Sequence, residues 1–293
     1  MNILVTGASG LVGSPISAAL QSDGHHIEKL RRQEGAAPVW NPNAGTIDLG
    51  SSPAFDAVIH LAGENVGKRW TAERKRRIRD SRVAGTHLLS ETLAKLATPP
   101  RVLICASATG FYGDRGEEWL DESSPAGAGF LAGVCRDWES AAAPAVSAGI
   151  RVVHLRFGIV LAGQGGALAK MLPAFRLGLG GRLGDGRQYW SWIAIEDVVH
   201  AVRHVLENQE LRGAVNVTSP NPVTNREFTA ALGRVLKRPT FFVVPRRVVS
   251  LLFGEMGREA LLSSARVRPG KLLASGFRFC SADLDAALAR ALG

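Results

Sequence analysis

Short apolar runs alternate with longer amphipathic stretches through the first half of the chain. The short runs are rich in branched aliphatic residues and predict strands over 2–6 (NILVT), 26–31, 57–62 (AVIHLA), 102–106 (VLICA) and 152–157 (VVHLRF). The stretches between them predict helices from about Leu11 to Gln21, Thr71 to Leu96 and Leu131 to Ala148. Apolar strands that alternate with helices indicate an α/β fold, a doubly wound parallel sheet covered by helices on both faces.

The pattern changes after about residue 160. A glycine-rich stretch at 178–186 precedes short predicted strands near Ile193 and Val215 and several helices. Thr224 with Glu227 makes a capping box, which predicts a helix start. Because no Gly/Ser-rich linker separates the halves, we expect a first domain at 1–165 and a smaller, mainly helical region at 166–293 packed against it.

Composition excludes several classes of protein. Among 293 residues, 46% are hydrophobic and 21% charged, which argues against a mainly disordered chain. No apolar run reaches membrane-spanning length and no basic leader precedes an apolar stretch, so we expect a cytoplasmic protein with no membrane partner. Cys105, Cys135 and Cys280 lie far apart without a CxxC pair, so neither a disulfide framework nor a metal site is predicted.

A glycine-rich turn follows the first predicted strand. Gly7, Gly10 and Gly13 have the spacing G-x-x-G-x-x-G between a strand and a helix. Glycine permits the tight turn and lets a pyrophosphate approach the backbone, while the helix N-terminus offers free N–H groups to the anion. The first domain is therefore predicted to bind a dinucleotide.

Arginines follow the second predicted strand. An NAD-binding site usually places an acidic residue there to hold the ribose 2′-hydroxyl, but this chain has Arg31 and Arg32. A guanidinium suits a 2′-phosphate through paired N–H donors, which favours NADP(H) over NAD(H). Either arginine could serve, and both could also be solvated surface residues.

Several motifs together resemble the extended short-chain dehydrogenase/reductase superfamily: TGASGLVG, HLAGENV, ASATGFYG and WIAIEDVV. More narrowly, the chain is similar to a family of small proteins labelled nucleoside-diphosphate-sugar epimerases. LAGENVGKRW, DSRVAGT, CRDWESAA, FRLGLGG and the tail LLSSARVRPGKLLASGFRF support this, the tail resembling the family's C-terminal extension, here about 240–293. Some members have been labelled cell-division inhibitors.

The resemblance implies an NAD(P)-binding Rossmann domain and assigns cofactor-binding positions to individual residues. These are Gly7, Gly10 and Gly13 at the pyrophosphate; Ser9, Leu11 and Val12 with their backbone toward the cofactor; Arg31 and Arg32 at the 2′-phosphate; Leu61, Ala62 and Gly63 beside the adenosine; and Arg82 on the long helix.

The resemblance also implies a Ser or Thr, a Tyr and a Lys as the catalytic set, with the Tyr acting as general acid/base. Ser107 matches the first position. Aligning Glu139 with the glutamate of the family places Leu131 where Tyr is expected and Cys135 where Lys is expected. The only tyrosines are Tyr112 and Tyr189, and neither has a Lys four residues later. Tyr112 is therefore the candidate substitute acid, although a place in the wall of the cofactor or substrate pocket is the favoured interpretation.

The loop before the WIAIEDVV motif has two interpretations. Tyr189, Trp190 and Trp192 could wall a pocket for a ring-shaped ligand, with Arg182 or Arg187 meeting a phosphate. Alternatively, this is an ordinary surface loop whose tryptophans pack the two halves together.

Three functions follow. The first is an NADP(H)-dependent oxidoreductase or epimerase acting on a small carbonyl, sugar or nucleotide-sugar-like substrate. The second is a catalytically degenerate NADP(H)-binding regulator or scaffold, for example one linked to cell division. The third, nucleic-acid binding, is disfavoured because the basic helix has little aromatic interleaving. A homodimer is common in the superfamily.

The net charge of +9 is concentrated in two segments, +6 at 68–82 and +8 at 226–278. The first runs into Arg82 and the second covers the substrate-side helices. The excess therefore points to phosphate-rich small molecules: NADP(H) first, and a phosphorylated or nucleotide-linked substrate second.

Overall fold

The computed structural model describes residues 1–32, 37–42, 44–50 and 54–293. Its strands are β1 Asn2–Thr6, β2 His26–Leu30, β3 Val39–Asn41, β4 Thr46–Asp48, β5 Ala57–His60, β6 Val102–Ala108, β7 Trp119–Leu120, β8 Arg151–Phe157, β9 Ile159–Leu161, β10 Gly181–Leu183, β11 Tyr189–Trp190, β12 Trp192–Ala194, β13 Gly213–Val217, β14 Val223–Thr224, β15 Phe242–Val244 and β16 Arg266–Val267.

Its helices are α1 Gly13–Ser22, α2 Ala72–Ala94, α3 Phe130–Ser140, α4 Ala143–Ser147, α5 Gly166–Arg176, α6 Ile195–Glu207, α7 Asn225–Leu236, α8 Arg246–Met256, α9 Gly270–Ala274 and α10 Leu284–Leu292. A 3₁₀ turn covers Thr109–Tyr112 and a π-helical turn covers Gly257–Leu261. None of these described helices is both long and apolar enough to cross a bilayer.

Six strands of the described chain form one sheet in the order β13-β8-β6-β5-β1-β2, and every neighbouring pair is parallel. Side chains alternate between its faces. Ile3 and Val5 pack with Ile16 of α1 and residues of α6, whereas Leu4 packs with Leu89 of α2. Both faces are thus covered by helices, which explains the continuous apolar runs and confirms the doubly wound sheet.

The region after residue 165 is not wholly separate from this sheet. It contributes β13 and the covering helix α6 to the first core, and a second core of its own forms around Trp192 and Phe228. Helices α5, α7 and α10 surround that second core. The division at residue 165 therefore remains a prediction, with two elements of the later segment completing the first domain.

One predicted helix is wrong. The single helix expected over 131–148 is two helices, α3 and α4, separated at residues 141–142. Pro144 lacks the amide hydrogen that would donate to the carbonyl of Ser140, so a continuous helix loses a bond there. The antiparallel hairpin β3–β4 was not predicted at all.

Candidate cofactor and catalytic site

The glycine turn connects β1 to α1 at the carboxyl edge of the sheet. Gly7 has a φ of +67°, and a Cβ there would lie 2.8 Å from the backbone carbon of Leu61. A Cβ on Gly13 would lie 2.1 Å from the carbonyl oxygen of Gly7. Both positions therefore require glycine because backbone, which cannot move aside, occupies the space.

The open side of this turn is lined by backbone. Ser9 and Gly10 are exposed, and a Cβ on Gly10 would meet only the Gly7 carbonyl, at 3.2 Å. Ser14 donates to the carbonyl of Gly10, so the amides of Leu11, Val12 and Gly13 precede the helical bonding of α1. Those amides and the helix dipole can receive an anion such as a pyrophosphate.

The chain after β5 packs directly against the turn. The amides of Leu61 and Ala62 both donate to the Thr6 hydroxyl at 3.2 Å, which fixes these residues beside Gly7. Gly63 is exposed, and the Arg82 guanidinium would lie 3.2 Å from a Cβ built on it. The structure thus brings together the glycine turn, residues 61–63 and Arg82, as the resemblance implied.

Arg82 is held over this edge by three contacts. Its guanidinium donates to the carbonyls of Glu64, at 2.9 Å, and Ile78, at 3.2 Å, and lies 4.9 Å from the Trp138 ring centroid. A guanidinium so fixed is preorganised, because little side-chain entropy is left to lose on contact with a ligand.

A cavity of about 740 Å³ opens between the residues that follow β2 and β5, and therefore flanks the end of β1. Its lining residues are Arg32, Trp40, Asn41, Pro42, Glu64, Arg76, Arg77, Asp80 and Ser81. Three of them are arginines. Of the two carboxylates, Glu64 is already paired with Arg74 at 2.9 Å. The cavity is thus suited to a phosphate group on a nucleotide.

The two candidate arginines differ in position. Arg32 lines the cavity, and its guanidinium lies 5.8 Å from the Trp40 ring centroid. Both arginines are exposed, but Arg31 does not line the cavity, and its backbone pairs with the hairpin through Pro38 and Trp40. Of the two arginines that the sequence left open, Arg32 is therefore the one that faces the cavity.

Sequence reasoning missed Arg76 and Arg77. Both belong to the basic run at 68–82, which was the available signal. Which of its eight basic side chains face the cavity depends on how α2 packs on the sheet, and the hairpin that closes the other side was not predicted.

Behind the turn lies a chain of buried polar groups. His60 is fully buried and bonds the Thr6 hydroxyl at 2.7 Å and the Thr86 hydroxyl at 3.0 Å, and Trp138 donates to Thr86 at 2.8 Å. Burial, with the positive charges of Arg32 and Arg82, lowers the pKa of His60 to about 3. His60 is therefore a neutral packing residue.

The three positions that the resemblance assigns to catalysis lie at the other end of the carboxyl edge, near β6. Ser107, at the end of β6, donates to Glu139 at 2.7 Å. A Cβ on Gly110 would lie 3.4 Å from the Leu131 Cβ and 3.9 Å from the Cys135 sulfur, so both replacements face the loop after β6. Burial raises the pKa of Cys135 to about 12, which keeps the thiol neutral. Neither residue can exchange a proton near neutral pH.

Tyr112 points into the protein. Its side chain is fully buried, and its hydroxyl lies 2.7 Å from the Asn216 side-chain oxygen and 3.0 Å from the Arg156 guanidinium, which donates to it. Burial raises its pKa to about 12 despite the opposing effect of Arg156. The geometry therefore argues against a role as substitute acid, and Tyr112 lies in the interior of the protein and does not line the cavity beside the glycine turn.

Arg156 is a third residue that sequence reasoning missed. It is 4% exposed, donates through two nitrogens to the Glu139 carboxylate at 2.8 Å, and lies 3.5 Å from the Phe111 ring centroid. An arginine inside an otherwise apolar strand was the signal. Arg156 thus holds the Glu139 carboxylate in one orientation, and Glu139 in turn orients the Ser107 hydroxyl.

The tryptophans of the later loop belong to the second core. Trp190 is 5% exposed and Trp192 is fully buried, which confirms the packing interpretation for both. Tyr189 is half-buried, with the Arg266 guanidinium 4.5 Å from its ring centroid. The carboxylate of Asp197 accepts from the amides of Cys280 and Ser281, so it fixes the tail to α6.

The sequence profile of the NAD dependent epimerase/dehydratase family matches residues 3–218. The chain belongs to this family. A second profile, a domain of unknown function (DUF1731), matches residues 244–291 and thus the predicted C-terminal extension. The match spans the glycine turn, the arginine-lined cavity and Ser107, which agrees with the expected superfamily.

Similar proteins of this family cover nearly the whole chain. An epimerase family protein of Mycobacterium leprae, ML0860, is 42% identical over 94% of this chain and 91% of its own length. A crystal structure of human epimerase family protein SDR39U1 (isoform 2) with NADPH has a TM-score of 0.91 and 32% identity over 100% of this chain and 99% of that one. A nucleoside-diphosphate sugar epimerase from Corynebacterium glutamicum has a TM-score of 0.77 and 36% identity over 100% of this chain but 58% of that one.

Proposed function

We propose that this protein is an NADP(H)-dependent oxidoreductase or epimerase that acts on a small carbonyl, sugar or nucleotide-sugar-like substrate. The observation that carries the proposal is the arginine-lined cavity beside a glycine turn that admits no side chain at Gly7 or Gly13. The NADPH in the human SDR39U1 crystal structure supports the same cofactor here.

The residues fit the cofactor as follows. The backbone from Ser9 to Gly13 would hold the pyrophosphate, and Arg32 with Arg76 and Arg77 would hold the 2′-phosphate. Residues 61–63 would pass beside the adenosine. When bound, the nicotinamide supplies hydride transfer.

At the reacting end, Ser107 is the member of the usual catalytic set that this chain retains. Its hydroxyl, oriented by Glu139, is proposed to hydrogen-bond the reacting oxygen of the substrate. Since the pKa values of Tyr112 and Cys135 are both about 12, neither side chain would take up the proton of a substrate hydroxyl near neutral pH, and the Glu139 carboxylate is already held by Arg156. The substrate stays open between a simple carbonyl and a nucleotide-linked sugar.

One observation favours the second candidate, an NADP(H)-binding regulator or scaffold. Leu131 and Cys135 replace the proton-transferring pair with groups that do not titrate near neutral pH. In this alternative the protein binds NADP(H) without catalysing a reaction, and the bound cofactor would change how the protein acts on a partner. A cytoplasmic location and a homodimer stay predictions under either function.

The test has two parts. Fluorescence titration of the wild-type protein should give a Kd for NADPH at least about 10-fold below that for NADH, and equal values would refute the cofactor assignment. Incubation with NADPH or NADP⁺ and a panel of small carbonyl compounds and nucleotide-linked sugars should then give turnover that Ser107→Ala abolishes. Tight NADPH binding without turnover on any member of the panel would support the regulator instead.

A further inference from the structure

Exposed apolar side chains are concentrated on one part of the C-terminal region. Thirteen large apolar side chains of the described chain are exposed, and nine of them lie within 177–179 and 241–253. Phe241 is 88% exposed, Leu177 75% and Leu251 73%. The other six are Leu179, Phe242, Val243, Val248, Leu252 and Phe253. We call these nine residues the apolar face; monomeric soluble proteins seldom leave so large an apolar group of side chains uncovered.

The fold brings the two segments together. β10 pairs with β15 in parallel, with Gly181 opposite Phe242, and a Cβ on Gly178 would lie 3.6 Å from Pro239. The exposed leucines at 177 and 179 lead into β10, and Phe241 leads into β15. The apolar face is therefore partly a two-stranded ribbon.

The remainder of the apolar face is one side of α8, which begins directly after β15 and Pro245. Val248, Leu251 and Leu252 are spaced i, i+3 and i+4 and are exposed, whereas Val249 and Met256 are buried. The helix therefore buries one side against the protein and presents a second apolar side to solvent.

Basic residues accompany this surface and acidic ones are absent from its sequence. Neither 166–184 nor 228–254 contains an Asp or Glu, but together they contain eight Lys or Arg residues. Arg234 is paired with Asp285 at 2.7 Å. Five others are exposed: Arg176, Lys237, Arg238, Arg246 and Arg247. The two segments thus combine exposed apolar side chains with exposed positive charge, and the acidic residues Asp185, Glu227 and Glu255 lie just outside them.

We propose that the apolar face binds the surface of an anionic lipid bilayer. Apolar side chains on a ribbon and a helix would enter the boundary between headgroups and acyl chains, and the five exposed cations would contact acidic headgroups. The contact is peripheral, in keeping with helices too short or too polar to span. It revises the sequence-based expectation of no membrane partner and does not depend on the proposed enzymatic function.

A second copy of the chain is the competing occupant. In a two-fold symmetric dimer both copies use the same surface, so the interface would bring together two sets of five exposed cations, with no acidic residue inside either segment. Like charges placed opposite one another disfavour such an interface. An anionic bilayer supplies the missing opposite charge, and this is the reason to prefer it.

The experiment is sedimentation of the full chain with vesicles of phosphatidylcholine alone or mixed in equal parts with phosphatidylglycerol. We expect the wild type to bind the mixed vesicles at least about 10-fold more tightly, and to be released by salt. Leu251→Asp/Leu252→Asp should abolish binding, and Arg246→Glu/Arg247→Glu should remove the preference for the anionic lipid. Val146→Asp, at an exposed apolar position on α4, is the matched control and should bind like the wild type. Thermal melting of each variant verifies folding.

Three results would overturn the proposal. The first is no sedimentation of the wild type with the mixed vesicles. The second is equal loss of binding in the Val146 control. The third is a dimer in sedimentation equilibrium that Leu251→Asp/Leu252→Asp dissociates, without vesicle binding, since that would assign the apolar face to a second copy.

Discussion

The carboxyl edge of the parallel sheet carries different chemistry at its two ends. Beside β1 and β2, glycines stand where backbone leaves no space for a side chain, and three arginines line one cavity. Beside β6, Ser107 remains, but Leu131 and Cys135 stand where a proton-transferring pair is expected. The first end, called here the cofactor end, keeps the groups that suit a dinucleotide. The second, the catalytic end, lacks the Tyr and Lys that the resemblance implies. The contrast shows that residues suited to a nucleotide can be present in a fold without the usual catalytic residues beside them.

The turn should be the most sensitive element of the cofactor end. Gly13→Ala places a Cβ 2.1 Å from the Gly7 carbonyl oxygen, so the turn must open. We expect a loss of at least about 3 kcal/mol in the free energy of unfolding and about a 100-fold weaker NADPH affinity. Urea denaturation and fluorescence titration measure the two effects. Gly24→Ala is the control: its φ is +83°, but a Cβ there would meet open space, so it should leave NADPH binding intact.

The buried His60 behind the glycine turn should make the stability of the protein depend on pH. His60 has a pKa of about 3 in the folded protein, against 6.5 when unfolded, so below pH 6.5 the unfolded chain takes up a proton that the folded chain refuses. Stability is complete above pH 6.5 and falls as the pH decreases toward 3. His60 alone should lower the free energy of unfolding by about 2 kcal/mol between pH 7 and pH 5.

Urea denaturation of the wild type and of His60→Asn at these two pH values isolates the contribution of His60. The variant should lose less stability on acidification, by about the same 2 kcal/mol. It should retain some pH dependence, since burial also lowers the pKa of His154. An identical loss in both proteins would show that His60 is protonated in the folded state.

A smaller effect is expected from the cavity wall on α2. Arg76→Ala removes one of three guanidinium groups, and we expect NADPH affinity to fall about 5- to 10-fold with NADH affinity unchanged. Arg79→Ala, on the same helix but paired with Asp137 and not lining the cavity, is the matched control. Equal losses for both cofactors would place Arg76 away from the 2′-phosphate.

The smallest effect on cofactor affinity should come from the catalytic end. Cys135→Ser replaces a neutral buried thiol by a hydroxyl, so the free energy of unfolding should fall by about 1–2 kcal/mol. NADPH affinity should change less than about 2-fold, since the thiol carries no charge for the cofactor to lose. A tenfold weaker affinity would mean that Cys135 has taken over the role of the missing lysine and would erase the contrast between the two ends.

Local signals in the sequence account for most of the sheet. The strands β1, β2, β5, β6 and β8 of the sheet follow from apolar runs, and the turn after β1 follows from glycine spacing. The break before Pro144 was also readable, because proline removes a helical donor, but the apolar pattern of the region outweighed it. The choice of Arg32 over Arg31, and the presence of Arg76, could not be read, since both depend on how the hairpin and α2 close around one cavity.

The central claim is that Arg32 contacts a phosphate that NADPH has and NADH lacks. A double-mutant cycle tests it most directly, with fluorescence-derived Kd values for both cofactors on the wild type and on Arg32→Asp, and with Arg31→Asp as the control. The account predicts a coupling of about 2 kcal/mol or more between Arg32 and the 2′-phosphate, and a value near zero for Arg31. A coupling near zero for Arg32, or an equal one for Arg31, would contradict it.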